Sequence, residues 1–289
     1  MAKKLLILGA KGLLGAELMK TFQQDKNYEV TGWDKEDVDI SDVVRLKEKI
    51  TAYKPEIVIN ATGFNGVDAA EEQEEIFEMA KMINGIVPGE MAKVAKQLGA
   101  VFVHYVSDYV FDGEKGTYNE DDLPNPISNY GISKALGEET IKENGEKYYL
   151  IRTSKLFGLP AKSEHAKKSF FEVMLTLAKN NNSLKVVDSE RSCFTYGPDL
   201  ALATKGLLEG NYPWGIYHIV NEGAVTWYEG LKKLFEILEI KDKELIPVSP
   251  EEFPRPAKRP VSAVLVNNKL PKLRNYEEAL QDWVRDRRF

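Results

Sequence analysis

Cysteine is nearly absent from this sequence: Cys193 is the only one in 289 residues. Intramolecular disulfides and cysteine-rich zinc sites are thereby excluded. Histidine is scarce too, and His104, His165 and His218 show no metal-ligand spacing. The expectation is a protein that works without a metal. No apolar run approaches the length that spans a bilayer. The opening MAKKLLILGAKGLLG is basic and then apolar, but its apolar stretch covers only residues 5–8, too short for a signal peptide. There is no surplus of positive charge: 39 Lys and Arg face 45 Asp and Glu, a net charge of −6. That balance disfavours nonspecific binding to nucleic acid or to an anionic membrane, although a local basic patch stays open. Internal repeats and low-complexity tails are also missing. A cytoplasmic protein with neither nucleic-acid nor membrane partners is expected.

What is present is a rhythm. KLLIL is a continuous apolar run of strand length, and LLGAELMKTFQQ follows with helical spacing. YEVTGW, a helix over about 41–52 with Ser41 as its N-cap, and EIVIN come next. A long helical region covers about 69–98, interrupted near Gly85 and Pro88, and its acidic start DAAEEQEE suits a helix N-terminus. AVFVHYV reads as a strand, SNYGISKALGEETIKEN as a helix and KYYLIR as a strand. Short, fully apolar strands separated by helices imply a doubly wound α/β fold, a parallel sheet covered on both faces. After Arg152 the rhythm weakens. Helical patterns recur near 170–179, 199–208 and 227–238, strand candidates are LKVV, GIYHIV and AVLV, and VSPEEFPRPAKRP is proline-rich and irregular. The division expected is a dinucleotide-binding domain over 1–160, with elements from about 195–225 returning to it, and a smaller mixed α/β substrate domain over most of 161–289.

GAKGLLG places Gly9, Gly12 and Gly15 between the first strand and the first helix. Glycine there permits a tight turn, lets backbone N–H groups approach a pyrophosphate, and lets the helix pack closely on the strand. A bare glycine triplet is weak evidence; the strand before it and the helix after it strengthen it. Asp34 follows the second strand, where an acid can bond both hydroxyls of an adenosine ribose, or can be an ordinary loop aspartate. Tyr130 and Lys134 stand at i and i+4 on one helical face. Ser107 ends a strand, and the carboxyl ends of parallel strands border the ligand crevice. Tyrosine is a poor acid near neutrality, so Lys134 is expected to lower the Tyr130 pKa by roughly three units. Any helix can carry YxxxK by chance; Ser107, Tyr130 and Lys134 together, after a dinucleotide turn, are far more specific.

The order and spacing resemble the extended short-chain dehydrogenase/reductases, and within them the dTDP-4-dehydrorhamnose reductase family, over essentially the whole chain. The motifs that carry this are GAKGLLG, DVDIS, VINATGFNGVDAAE, VSDYVFDG, YGISK, RTSKLFG, TYGPDLA and FPRPAKRP, with SDYVFDG the most specific. The resemblance implies a Rossmann-like fold and NADH or NADPH as cofactor, held by Gly9, Gly12 and Gly15, by Leu13 and Leu14 in the turn, by Asp39 and Ile40 beside the adenine, and by Ala61, Thr62 and Gly63. It implies reduction of the C4 ketone of a nucleotide-linked 6-deoxy sugar. Tyr130 would protonate the alkoxide, Ser107 would hold the ketone oxygen, and Lys134 would tune Tyr130 and bind the nicotinamide ribose. Asn65, Val67, Ser107, Lys155, Arg255 and Arg259 are the expected substrate contacts, the two arginines for phosphates, and a homodimer is compatible with the family.

The sequence also departs from the family pattern. Asn65 stands where Thr is usual and Lys155 where Trp is usual. SERSCFT replaces DQxGxPT, changing Ser189, Glu190, Ser192 and Phe194, and RPVSAVL puts Ala263 where a serine is expected. Neutral drift and a changed substrate both account for these. An epimerase or another reductase acting on a related keto sugar is an alternative. So is a non-catalytic regulatory subunit resembling that of methionine adenosyltransferase.

Overall fold

The computed structural model describes residues 2–160 and 168–287, which leaves His165 outside the described residues. The first half alternates strand and helix: β1 (Lys3–Leu8), α1 (Leu13–Gln23), β2 (Tyr28–Trp33), α2 (Val43–Tyr53) and β3 (Ile57–Asn60). Helices Ala69–Glu72 and Glu74–Lys81 lead through a π-helical turn, Met82–Ile86, into α3 (Val87–Leu98). β4 (Val101–Ser107), α4 (Asn129–Asn144) and β5 (Tyr148–Thr153) follow, and later α5 (Gly197–Glu209) and β6 (Gly215–His218). The six strands form one parallel sheet in the order β6-β5-β4-β3-β1-β2.

Alternation along β1 shows why helices are needed on both faces. Leu6 and Leu8 pack with α2, α3 and Ile141 of α4, whereas Leu5 and Ile7 pack with Leu14, Leu18 and Phe22 of α1 and with Leu200 and Leu207 of α5. Burying a side chain of this size contributes about 1.5–3 kcal/mol, so neither face tolerates exposure. The chain passes from β1 to β2 on one side and resumes at β3 on the other. The strand order therefore reverses at β1, and a crevice opens at the carboxyl ends of β1 and β3.

A third core is largely aromatic. Phe157, Phe171, Phe194, Tyr196 and Trp283 are all buried in it. It joins helices Phe170–Ala178, Trp227–Ile237 and Tyr276–Asp286 to the parallel pair Ser183–Val187 and Glu244–Val248. Arg152 on β5 and Glu138 on α4 form a buried bidentate pair at 2.6 and 2.7 Å. It ties the helix carrying Tyr130 and Lys134 to the sheet.

Two local expectations are refined. The N-cap of α2 is Asp42, not Ser41: Asp42 Oδ1 accepts from the Arg45 N–H, while Ser41 donates its hydroxyl to Asp39. The interruption of the long helical region is the π turn containing Gly85. Pro88 lies in the first turn of α3, directly after the π turn, and has no N–H to donate back to that turn.

Candidate active site

The glycine turn sits between the ends of β2 and β3. Gly9 and Ala10 donate their amides to Trp33 O, and Ala61 donates to Leu8 O. Gly9 adopts φ +77°, and a Cβ on Gly15 would lie 1.9 Å from Gly9 O, so glycine is obligatory at both. Gly12 is the N-cap of α1 and brings no side-chain acceptor, so the first amides of the helix remain available to an anion. These features fit a dinucleotide pyrophosphate. Leu13 fills the space beside Gly158 and Gly197, where a Cβ would meet its Cδ2 at 3.1 Å, and Leu14 is buried in the core. Asp34, just past β2, accepts the amides of Lys11 and Lys35 at 2.8 and 2.9 Å. Lys11 Nζ is engaged by Glu36 at 3.0 Å. Asp39 is held low by its bonds from Ser41, and Ile40 packs on the core. Thr62 folds back on Asn60, its hydroxyl donating to Oδ1 at 2.6 Å.

α4 is capped by Ser128, whose Oγ accepts from the Gly131 amide. Its buried face carries Tyr130, Lys134, Gly137, Glu138 and Ile141. Lys134 Nζ lies against Gly63: a Cβ there would stand 2.9 Å away. Burial lowers the ammonium to about 8. The Tyr130 ring centroid is 5.9 Å from that ammonium. Tyr130 donates to Asn65 Oδ1 at 3.4 Å, and Ser107 lines the same cavity. The expected depression of Tyr130 is corrected here. Burial pushes the phenol up, with the Asp108 charge adding to the rise and only Ser107 opposing it. A raised value keeps the proton on Tyr130 at neutral pH, the form that a reduction consumes.

Tyr130 and Ser107 border a cavity of about 190 Å³ shared with Asn65, Val67, Asp108 and Lys155. Glu190, Arg191, Ser192, Trp227, Arg259 and Ala263 complete much of its wall. Four of the departures thus fall on the wall together with Glu190: Asn65, Lys155, Ser192 and Ala263. Phe194 lies one layer behind, 5.1 Å from Lys155 Nζ. Arg259 lines the cavity while bonding Asp68 bidentately at 2.8 and 2.7 Å. Arg255 is outside the lining and pairs with Glu190.

Sequence reasoning missed Asp108, Asn84 and Trp227. Asp108 follows Ser107 directly and accepts its hydroxyl proton at 2.9 Å; burial raises its carboxyl to about 6. Asn84, buried in the π turn, accepts from Phe64 N and donates to Phe64 O and Ser133 Oγ, fixing the segment that faces Lys134. π turns inside helices often mark functional positions, and INGIVPG was its only trace in the sequence. Among the described residues no cluster of His, Cys, Asp and Glu has the arrangement of a metal site, and no helix is long and apolar enough to cross a membrane.

A parallel sheet with a glycine turn at its switch point and Ser, Tyr and Lys beside it defines the short-chain dehydrogenase/reductase class. The chain belongs to the family described as RmlD substrate binding domain, whose model matches residues 3–288. It is 35% identical to the spore coat polysaccharide biosynthesis protein SpsK of Bacillus subtilis, over 98% of each chain. A dTDP-4-dehydrorhamnose reductase structure from Clostridium acetobutylicum superposes with a TM-score of 0.90 at 36% identity, covering 99% of this chain and 100% of that one. The dTDP-4-dehydrorhamnose reductase of Bacillus anthracis, in complex with NADP, gives 0.91 at 30% identity with the same coverage.

Proposed function

We propose that the chain is an NAD(P)H-dependent reductase of the C4 ketone of a nucleotide-linked 6-deoxy sugar. The observation that carries this is the shared cavity of Ser107 and Tyr130 beside Lys134, at the carboxyl edge of the sheet that bears the glycine turn. Gly9, Gly12 and Gly15 hold the pyrophosphate, with Leu13 and Leu14 fixing the turn. Asp34, Asp39 and Ile40 receive the adenosine end, and Ala61, Thr62 and Gly63 line the path to Lys134. The reduced nicotinamide, when bound, supplies hydride to the carbonyl carbon. Tyr130 gives its hydroxyl proton to the carbonyl oxygen as charge develops there, and Lys134 stabilises the phenolate left behind and bonds the cofactor ribose.

Asn65, Val67 and Ser107 contact the sugar on one side and Lys155 on the other. Arg259, and Arg255 once released from Glu190, meet the phosphates, because a guanidinium grips such oxygens bidentately. Residues 1–160 serve the cofactor and most of 161–289 the sugar nucleotide, with 195–225 returning to the sheet. The setting is cytoplasmic, a homodimer is compatible, and no metal takes part.

The departures on the wall favour a sugar other than dTDP-4-dehydrorhamnose. A buried polar group left unpaired costs about 1–3 kcal/mol, enough to shift preference ten- to hundredfold. The test is kcat/KM for dTDP-4-dehydrorhamnose beside other dTDP-, UDP- and GDP-linked 4-keto sugars. A better substrate in the panel supports the changed specificity. Efficient turnover of dTDP-4-dehydrorhamnose with none better would leave drift as the explanation.

A further inference from the structure

Lys155 lies two residues beyond β5 with a left-handed backbone, φ 39°, an unfavourable conformation for a residue with a side chain. Its chain runs into the cavity wall. There Nζ donates to the carbonyls of Glu190 at 3.0 Å and Val225 at 2.9 Å, and stands 4.3 Å from the Trp227 ring centroid. An ammonium has three N–H groups, so one remains for the cavity. Two carbonyls and two aromatic faces hold this cation in one place.

Asp108 lines the same cavity. Ser107 bonds it, Ser192 and Lys155 oppose its neutralisation, and Tyr109, Tyr130 and Cys193 feel its charge. Glu190 and Arg259 also stand on the wall around it. Burial drives Lys155 down to about 7 and Asp108 up to about 6, and each charge opposes the other's shift.

Ser107 has one proton and two lone pairs. The proton goes to Asp108 Oδ1, and one lone pair accepts the Tyr109 amide at 3.2 Å. Toward the cavity Ser107 is therefore an acceptor while Asp108 is ionised. It becomes a donor when Asp108 carries the proton and gives that bond to Ser107 instead.

We propose that Lys155 is a positioning residue: acting through Asp108, its charge sets whether Ser107 turns a lone pair or its proton toward the reacting oxygen. With the ammonium present, Ser107 keeps its proton on Asp108, and Tyr130 is the side-chain donor to the ketone. Without it Asp108 takes up a proton and Ser107 turns to donate alongside Tyr130. This rests on the reductase reading for its consequence, but the Lys155–Asp108–Ser107 coupling does not.

The test separates the two. Infrared titration of the protein without substrate follows the carboxylic C=O band of Asp108, assigned by its loss in Asp108→Asn. In Lys155→Gln, which keeps donors for the carbonyls but no charge, the band should persist about 1–3 pH units higher, the usual reach of one nearby charge. Lys155→Arg should restore the original position, and Lys155→Met should match Lys155→Gln. An unmoved band in the folded Gln variant overturns the proposal. So does a shift that Lys155→Arg shares, because charge is then not the cause. The pH profile of kcat/KM for keto-sugar reduction should show an inflection that moves with the band and vanishes in Asp108→Asn. A moving band with no reduction at any pH would defeat the reductase reading and leave the coupling standing.

Discussion

Lys134 Nζ rests against Gly63, so closely that a methyl group on Gly63 would lie 2.9 Å from it and 3.2 Å from Asn84 Oδ1. The segment after β3 and the buried face of α4 are thus fitted closely to each other. Gly63→Ala should displace the ammonium by a fraction of an ångström. Small misplacements of a catalytic group are costly, so kcat/KM should fall about ten- to hundredfold. Steady-state kinetics with a check of thermal unfolding decides this; unchanged kinetics would mean that the position of Lys134 is not critical.

Tyr130→Phe removes the hydroxyl of the proposed proton donor and little else. Cofactor affinity should be retained while turnover falls by about 10²–10⁴, the usual worth of general acid catalysis. Fluorescence titration with reduced nicotinamide and a rate assay measure the two separately. A variant that reduces its sugar at close to the parental rate would remove Tyr130 from the role of acid.

Lys134 also predicts a pH signature in stability. Its folded value, about 8, lies below the ordinary 10.5 because the group is buried. The cost of burying the charge is fully present below about pH 8 and is relieved as pH rises toward 10.5, where the unfolded chain holds more protons than the folded one. That cost is on the order of 3 kcal/mol at neutral pH. Lys134→Met should therefore be more stable than the parent in urea at pH 7, with the advantage shrinking by pH 10. Equal stability at pH 7 would show that burial does not tax this ammonium.

Much of this was legible because it is local. The tight turn at Gly9, Gly12 and Gly15, the strand run at residues 5–8 and the i, i+4 pair of Tyr130 and Lys134 each depend on neighbours within a few residues. Charge environment is not local. The expectation that Lys134 lowers Tyr130 failed because burial of both groups and the charge of Asp108 depend on the folded packing. Lys155 was legible as an oddity in its motif, but its place over Trp227, 72 residues onward, was not. The cap of α2 went to Asp42 over Ser41 because Ser41 is taken by Asp39, a competition between adjacent turn residues that residue preference does not rank.

Asp34 is expected to govern the choice of cofactor. Its carboxylate is fixed by two loop amides at the end of β2, and Lys11 is drawn off by Glu36. A fixed anion there repels a 2′-phosphate, so both cofactors should work with a modest preference for NADH. Asp34→Ala should raise the NADPH/NADH ratio of kcat/KM by about tenfold, a difference of about 1.4 kcal/mol. A parent enzyme that strongly favours NADPH would show that Lys11 and Lys35 outweigh Asp34.

The most direct measurement is isotope transfer. The protein is incubated with nicotinamide cofactor deuterated at the transferable position and a nucleotide-linked 4-keto-6-deoxy sugar, and the product is read by NMR. One deuterium at C4 of the sugar, with one cofactor oxidised per sugar reduced, is the expected result. A sugar recovered unlabelled with the cofactor unconsumed, across the dTDP-, UDP- and GDP-linked panel, would contradict the reductase reading.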